Sequence, residues 1–206
     1  METNQELKER HSYSIKGIFS KYIIKKFLSS YSIYVSIGIT IGLYLLIIFS
    51  QSENTFVLLR EIIELTLNLL PNILGFCIGG YALIIGIGNI DALKKMSSPM
   101  KKRDDLSFFQ ILSSVFAGSL VLQCVTLLFS FIINIILKLE IPAVSNQIAT
   151  IINSVVIISV LFLSTLSIIL LYYTVINLFN YGQFIHFLIR LEKREQNEQN
   201  EQNEQH

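Results

Sequence analysis

The chain has 206 residues, 52% of them apolar and only 15% charged, whereas soluble domains carry about 25% charged residues. This composition excludes an ordinary soluble domain and points to a membrane protein. The formal net charge of +1 balances 16 Lys and Arg against 15 Asp and Glu and hides a strong segregation along the chain.

Residues 1–30 form a basic flank that is polar at first and then amphipathic. Within residues 15–27, Ile15, Ile18, Phe19, Tyr22 and Ile23 fall on one face at helical steps, ringed by Lys16, Lys21, Lys25 and Lys26. That pattern predicts an amphipathic helix lying on an anionic leaflet or, equally, a basic flank that sets orientation. The segment lacks the short apolar core of a cleavable signal peptide. Residues 31–190 then read as a four-helix transmembrane domain. The first span covers residues 31–50 and holds Gly38 and Gly42, a small-xxx-small pair that permits close helix contact.

The second span is the most distinctive. Residues 65–90 run for 26 positions without a charge, more than the roughly 20 that cross a hydrocarbon core. Its helix is expected to begin earlier, near Thr55, and to tolerate Pro71. Asn68, Asn72, Gly75, Gly79, Ala82, Gly86 and Asn89 recur at alternating steps of 4 and 3, which places all seven on one helix face. Glu61 and Glu64 extend the same face backwards. Two readings follow. In the first, this face packs against other helices, within the chain or between copies, with Asn68, Asn72 and Asn89 pairing with Gln123, Asn134 or Asn153. In the second, several copies line a hydrated path with Glu61 and Glu64 as acids at the outer mouth.

The third span, about residues 108–137, carries its own polar stripe of Ser119, Gln123, Thr126, Ser130 and Asn134. The fourth begins near Ala149, extends to at least Leu171 and as far as Arg194, and bears Asn153, Ser164, Ser167 and Thr174. Residues 191–206 form a polar low-complexity tail with a three-residue Glu-Gln-Asn repeat, expected to be solvated and without regular structure. Cys77 and Cys124 lie in apolar runs outside any metal-ligand spacing and are expected to be small buried hydrophobes.

Charge predicts topology. Fourteen of the 16 Lys and Arg fall on one side of the expected membrane: the N-terminal flank, the loop holding Lys94, Lys95, Lys101, Lys102 and Arg103, and the segment with Arg190, Lys193 and Arg194. Arg60 and Lys138 are the two exceptions. The positive-inside rule then places both termini in the cytoplasm of a multi-pass protein in the bacterial inner membrane.

The spans hold no nucleophile with a base, no paired carboxylates, no metal-ligand cluster and no phosphate loop. The expectation is a non-enzymatic protein with no cofactor, no metal and no direct contact with nucleic acid. Its expected partners are membrane lipid, further copies of itself and a cytoplasmic protein from the same operon. Lys94, Lys95, Lys101, Lys102 and Arg103 are the expected contacts for that protein or for anionic lipid. Four spans, a basic N-terminal flank and a second helix reading GFCIGGYALIIGIGN resemble the membrane subunit of the Kiwa anti-phage defence family. The resemblance implies an oligomeric inner-membrane sensor that recruits a soluble cytoplasmic partner acting on phage DNA. The alternatives are a pore-forming effector that depolarises the membrane and a small transporter or channel accessory protein.

Overall fold

The computed structural model describes residues 31–50, 54–87, 96, 107–139 and 145–204. These form four helices: α1 (Tyr31–Phe49), α2 (Thr55–Ile87), α3 (Phe108–Lys138) and α4 (Asn146–Glu204). All four are long and apolar enough to cross a membrane, and no strand occurs among the described residues. The fold is therefore all-α and of membrane type. The N-terminal amphipathic segment at residues 15–27 lies outside the described residues, as do Asn89 and the basic loop with Lys94, Lys95, Lys101, Lys102 and Arg103.

Local chemistry fixes where the helices start. Asn54 caps α2, its Oδ1 accepting the backbone N–H groups of Phe56 at 3.2 Å and Val57 at 3.4 Å. The α2 start predicted near Thr55 is thus met. Ser107 opens α3 through a capping box. Its hydroxyl accepts from the Gln110 N–H at 3.1 Å, and the Gln110 Oε1 accepts from the Ser107 N–H at 2.9 Å. Pro71 stands inside α2 without ending it.

One expectation is overturned. The Glu-Gln-Asn repeat is helical, because α4 runs unbroken for 59 residues to Glu204. Two physical reasons account for this. Glu and Gln are good helix formers, and the costly nucleation step has already been met by the apolar helix in front of them. Among the described residues, the last buried side chain along α4 is Leu188.

α2 lies against both α3 and α4, α3 also meets α4, and α1 docks on α4. Pairs of residues set the directions. Ile84 meets Phe116, and Cys77 meets Gln123, so α2 and α3 are antiparallel. Phe108 stacks near Phe184, and Thr126 faces Ser167, so α3 and α4 are antiparallel too. The core has three parts. An aromatic cluster closes one end, with Ile84, Met96, Leu112, Phe116 and Tyr181 buried. An aliphatic cluster closes the other, with Leu59, Ile63, Ile157 and Val160 buried. Leu70, Ile73 and Cys77 lie between them. The Tyr181 hydroxyl donates to the Ile84 carbonyl at 2.9 Å and ties α4 to the end of α2.

Candidate functional site

The 4-3 spacing along α2 occurs twice, on opposite faces. Leu59, Ile63, Thr66, Leu70, Ile73, Cys77, Gly80 and Ile84 are all buried against α3 and α4. Asn68, Asn72, Gly75, Gly79, Ala82 and Gly86 are all exposed. The small, polar face therefore points away from the chain's own bundle. The predicted pairing of Asn68 and Asn72 with Gln123, Asn134 or Asn153 within one chain does not form. Asn72 instead donates to the Asn68 carbonyl on its own helix at 3.1 Å.

The glycines report the same geometry. A Cβ added at Gly75, Gly79 or Gly86 would meet nothing within 4 Å, and the same holds for Gly38 and Gly42 on α1. The close contact that Gly38 and Gly42 permit is thus not made among the described residues. α1 turns Ser32, Ser36 and Thr40 inward instead. Gly80 is the inward-facing exception on α2, where a Cβ would touch Leu178 Cδ2 at 3.7 Å and Phe116 Cε1 at 3.8 Å.

The two acids at the start of this face differ. Glu64 is paired with Arg60 one turn earlier, at 3.0 Å, while Glu61 is exposed beside it. Such a pair is worth only about 0.3–0.5 kcal/mol in stability. It nevertheless offsets one of the two charges expected at an outer mouth.

The polar stripes of α3 and α4 behave in the opposite way and turn inward. Ser119, Gln123, Thr126 and Ser130 of α3 are buried, as are Ser167 and Thr174 of α4. Gln123 donates to Ser119 Oγ at 3.3 Å and to Cys77 Sγ at 3.6 Å. Thr66 and Ser164 meet at 3.1 Å. Cys77 is the buried thiol the sequence predicts, but Cys124 is exposed, on the outer side of α3. The apolar run around Cys124 predicts burial, yet in a membrane such a run is equally compatible with a lipid-facing surface. Among the described residues no group of three His, Cys, Asp or Glu is placed to hold a metal ion.

No family model, curated protein or solved structure matches the chain.

Proposed function

We propose that this chain is the membrane-embedded sensor or anchor subunit of an anti-phage defence system. It self-associates in the bacterial inner membrane through the outward face of α2, and both termini are cytoplasmic. A cytoplasmic protein from the same operon carries the signal onward. The observation that supports this reading is the outward face of α2. Glycine costs about 1 kcal/mol relative to alanine in a helix interior, and an asparagine side chain gains nothing from lipid tails. Both become favourable against another helix, where glycine permits close backbone approach and asparagine finds a hydrogen-bond partner. Asn68, Asn72, Gly75, Gly79, Ala82 and Gly86 are exposed on the chain's own surface, so a second copy is the occupant that makes use of them. The charge segregation supports the orientation, and the helical arm of α4 beyond Leu188 offers a cytoplasmic partner an extended surface.

The test is cross-linking in native membranes. With Cys77 and Cys124 replaced by Ser, single cysteines at Gly75, Gly79 and Gly86 form disulfide-linked dimers on oxidation, and cysteines at Leu70 or Ile73 do not. Equal yields from both sets would sink the self-association.

A pore-forming effector is the second reading, favoured by the alignment of Glu61, Asn68 and Asn72 on that same outward face. Membrane potential separates the two. In cells expressing the chain with its operon neighbour during phage challenge, the sensor leaves the potential intact while protecting the culture. Depolarisation that Asn72→Leu abolishes would establish the pore instead.

A further inference from the structure

The second half of α4 presents a surface distinct from the outward face of α2. α1 has 19 residues, and about 20 cross a hydrocarbon core, so the two ends of α1 mark the depth of the membrane. Tyr44 and Ile47, near the end of α1, pack into the aliphatic cluster with Ile157 and Val160, near the start of α4. The two helices are therefore antiparallel. Ser32, Ser36 and Thr40 are buried along α1, so its docking on α4 runs back to its first turn. From Ile47 to Tyr31 is 16 residues, about 24 Å at helical rise, and the same step along α4 from Ile157 reaches Tyr173. Tyr31, Tyr34 and Tyr172 are exposed near that level, as tyrosines at a membrane–water interface are.

Past Tyr173, α4 leaves the hydrocarbon, and the headgroup zone accounts for only about 5–8 Å more on that side. Tyr172, Val175, Phe179, Gln183 and Phe187 follow one another at steps of 3 and 4, which makes them one flank, and all five are exposed. Phe179 lies about 9 Å past Tyr173 and Phe187 about 21 Å past it. Their rings are 64% and 56% exposed. The near end of the flank thus faces lipid, and Phe187 lies beyond the reach of lipid, where an aromatic ring gains from being covered.

Residues 15–27 fit this flank in position, chemistry and charge. Only residues 28–30 separate them from Tyr31, so they join the bundle beside α4 at the foot of the flank. At helical rise they reach from about 6 to about 24 Å past Tyr31, an interval that takes in both Phe179 and Phe187. Ile15, Ile18, Phe19, Tyr22 and Ile23 supply an apolar face. The segment also carries Lys16, Lys21, Lys25 and Lys26 and no acid, whereas α4 past Leu191 carries five Glu against Lys193 and Arg194. Glu198 and Glu201 of that arm are exposed. Opposite charge of this kind fixes the direction in which two elements pair. We propose that residues 15–27 of the same chain dock along α4, covering Phe179 and Phe187 with their apolar face and holding Lys16 towards the acidic arm. The flank of α4, rather than the leaflet, is then what covers that apolar face.

The chain contains no Trp, so Phe19→Trp in the full chain is a single fluorescent reporter. It is read at one copy per nanodisc of phosphatidylcholine and phosphatidylglycerol, with and without bromine on the acyl chains. Docking on α4 gives emission to the blue of a solvated Trp, equal in intensity in the two lipids, and a Phe179→Asp, Phe187→Asp double substitution moves it to the red. Several-fold quenching by the brominated lipid would overturn the proposal in favour of the leaflet. Red emission that turns blue only at two copies per nanodisc would overturn it in favour of a second copy, and red emission throughout would leave the flank uncovered. Cross-linking keeps the test open should the double variant fail to fold. In a Cys77→Ser, Cys124→Ser background, Ile18→Cys should link within one chain to Gln183→Cys several-fold more than to Ile85→Cys. Ile85 is exposed on α2 at a similar height, since its neighbour Ile84 bonds Tyr181. Equal yields from the two pairs would also overturn the proposal.

Discussion

Neighbouring residues on α2 have opposite environments, and substitution should separate them. Gly80 faces Leu178 and Phe116 at ordinary contact distance, so Gly80→Leu forces a large side chain into a filled space. Overpacking of this kind costs about 1–3 kcal/mol, and thermal unfolding in detergent should show a midpoint lowered by several degrees. Gly79 faces open space. Gly79→Leu should leave that midpoint unchanged or slightly raised, since leucine is the better helix former, while removing the cross-linked dimer. If both substitutions lowered the midpoint equally, the two faces of α2 would not be distinct. Tyr181 offers a second residue-scale test. Its hydroxyl makes a buried bond to the Ile84 carbonyl at 2.9 Å, and a hydrogen bond of this type contributes about 0.5–1.5 kcal/mol. Tyr181→Phe keeps the ring in the aromatic cluster, so the expected loss is confined to that range. A neutral result in thermal unfolding would mean that the hydroxyl is not what joins α4 to α2.

At the scale of elements, the four helices are legible in the sequence because a charge-free run longer than 20 residues has few other interpretations. The start of α2 near Thr55 is legible from its apolar spacing, and the Asn54 cap explains it. Which way the helices turn is not legible. In water, the polar face of a helix is the outer one, whereas in lipid a polar face must find a partner, so the asparagines of α2 suggest an inward seam. The structure divides the polar residues instead. The buried ones of α3 and α4 are mostly serine and threonine, and several donate to their own helix carbonyls. The bulkier Asn68 and Asn72 of α2, with the glycines, turn outward. The buried face of α2 has the same 4-3 spacing, but Leu, Ile and Cys on it do not stand out in a run that is apolar throughout. The tail departs from expectation for a related reason: its composition suits a solvated chain, and helical continuity from α4 decides its conformation. Truncation tests that arrangement. Ending the chain after Arg194 removes no buried side chain among those described and should leave the unfolding midpoint unchanged. Ending it after Asn180 removes Tyr181, Phe184 and Leu188 from the aromatic end of the bundle and should destabilise it strongly. A midpoint that fell for both truncations would show the distal arm to be part of the packed fold.

At the scale of the whole molecule, charge and packing make separate demands, and this separates two roles for the basic loop. Orientation depends on the excess of Lys and Arg on one side. Replacing Lys101, Lys102 and Arg103 by Gln leaves Lys94, Lys95, the N-terminal basic residues and Arg190, Lys193 and Arg194 on that side, against only Arg60 and Lys138 on the other. Topology should therefore survive the triple substitution, and a reporter fused after His206 should stay on the same side of the membrane as in the unsubstituted protein. Recognition of a partner is not shared out in this way, because a docking surface that loses three adjacent charges loses both its attraction and its hydrogen-bond donors. If the loop docks the proposed cytoplasmic partner, recovery of the operon neighbour with the detergent-solubilised protein should then fall roughly tenfold or more. The residual binding should weaken more gently with added salt, because fewer charges remain to be screened. The dimers linked through Gly75 and Gly79 should form as before, because that face is made of α2 residues and includes none of the three substituted ones. Unchanged recovery of the neighbour, with topology intact, would remove the loop from the signalling path and leave it the task of orientation alone.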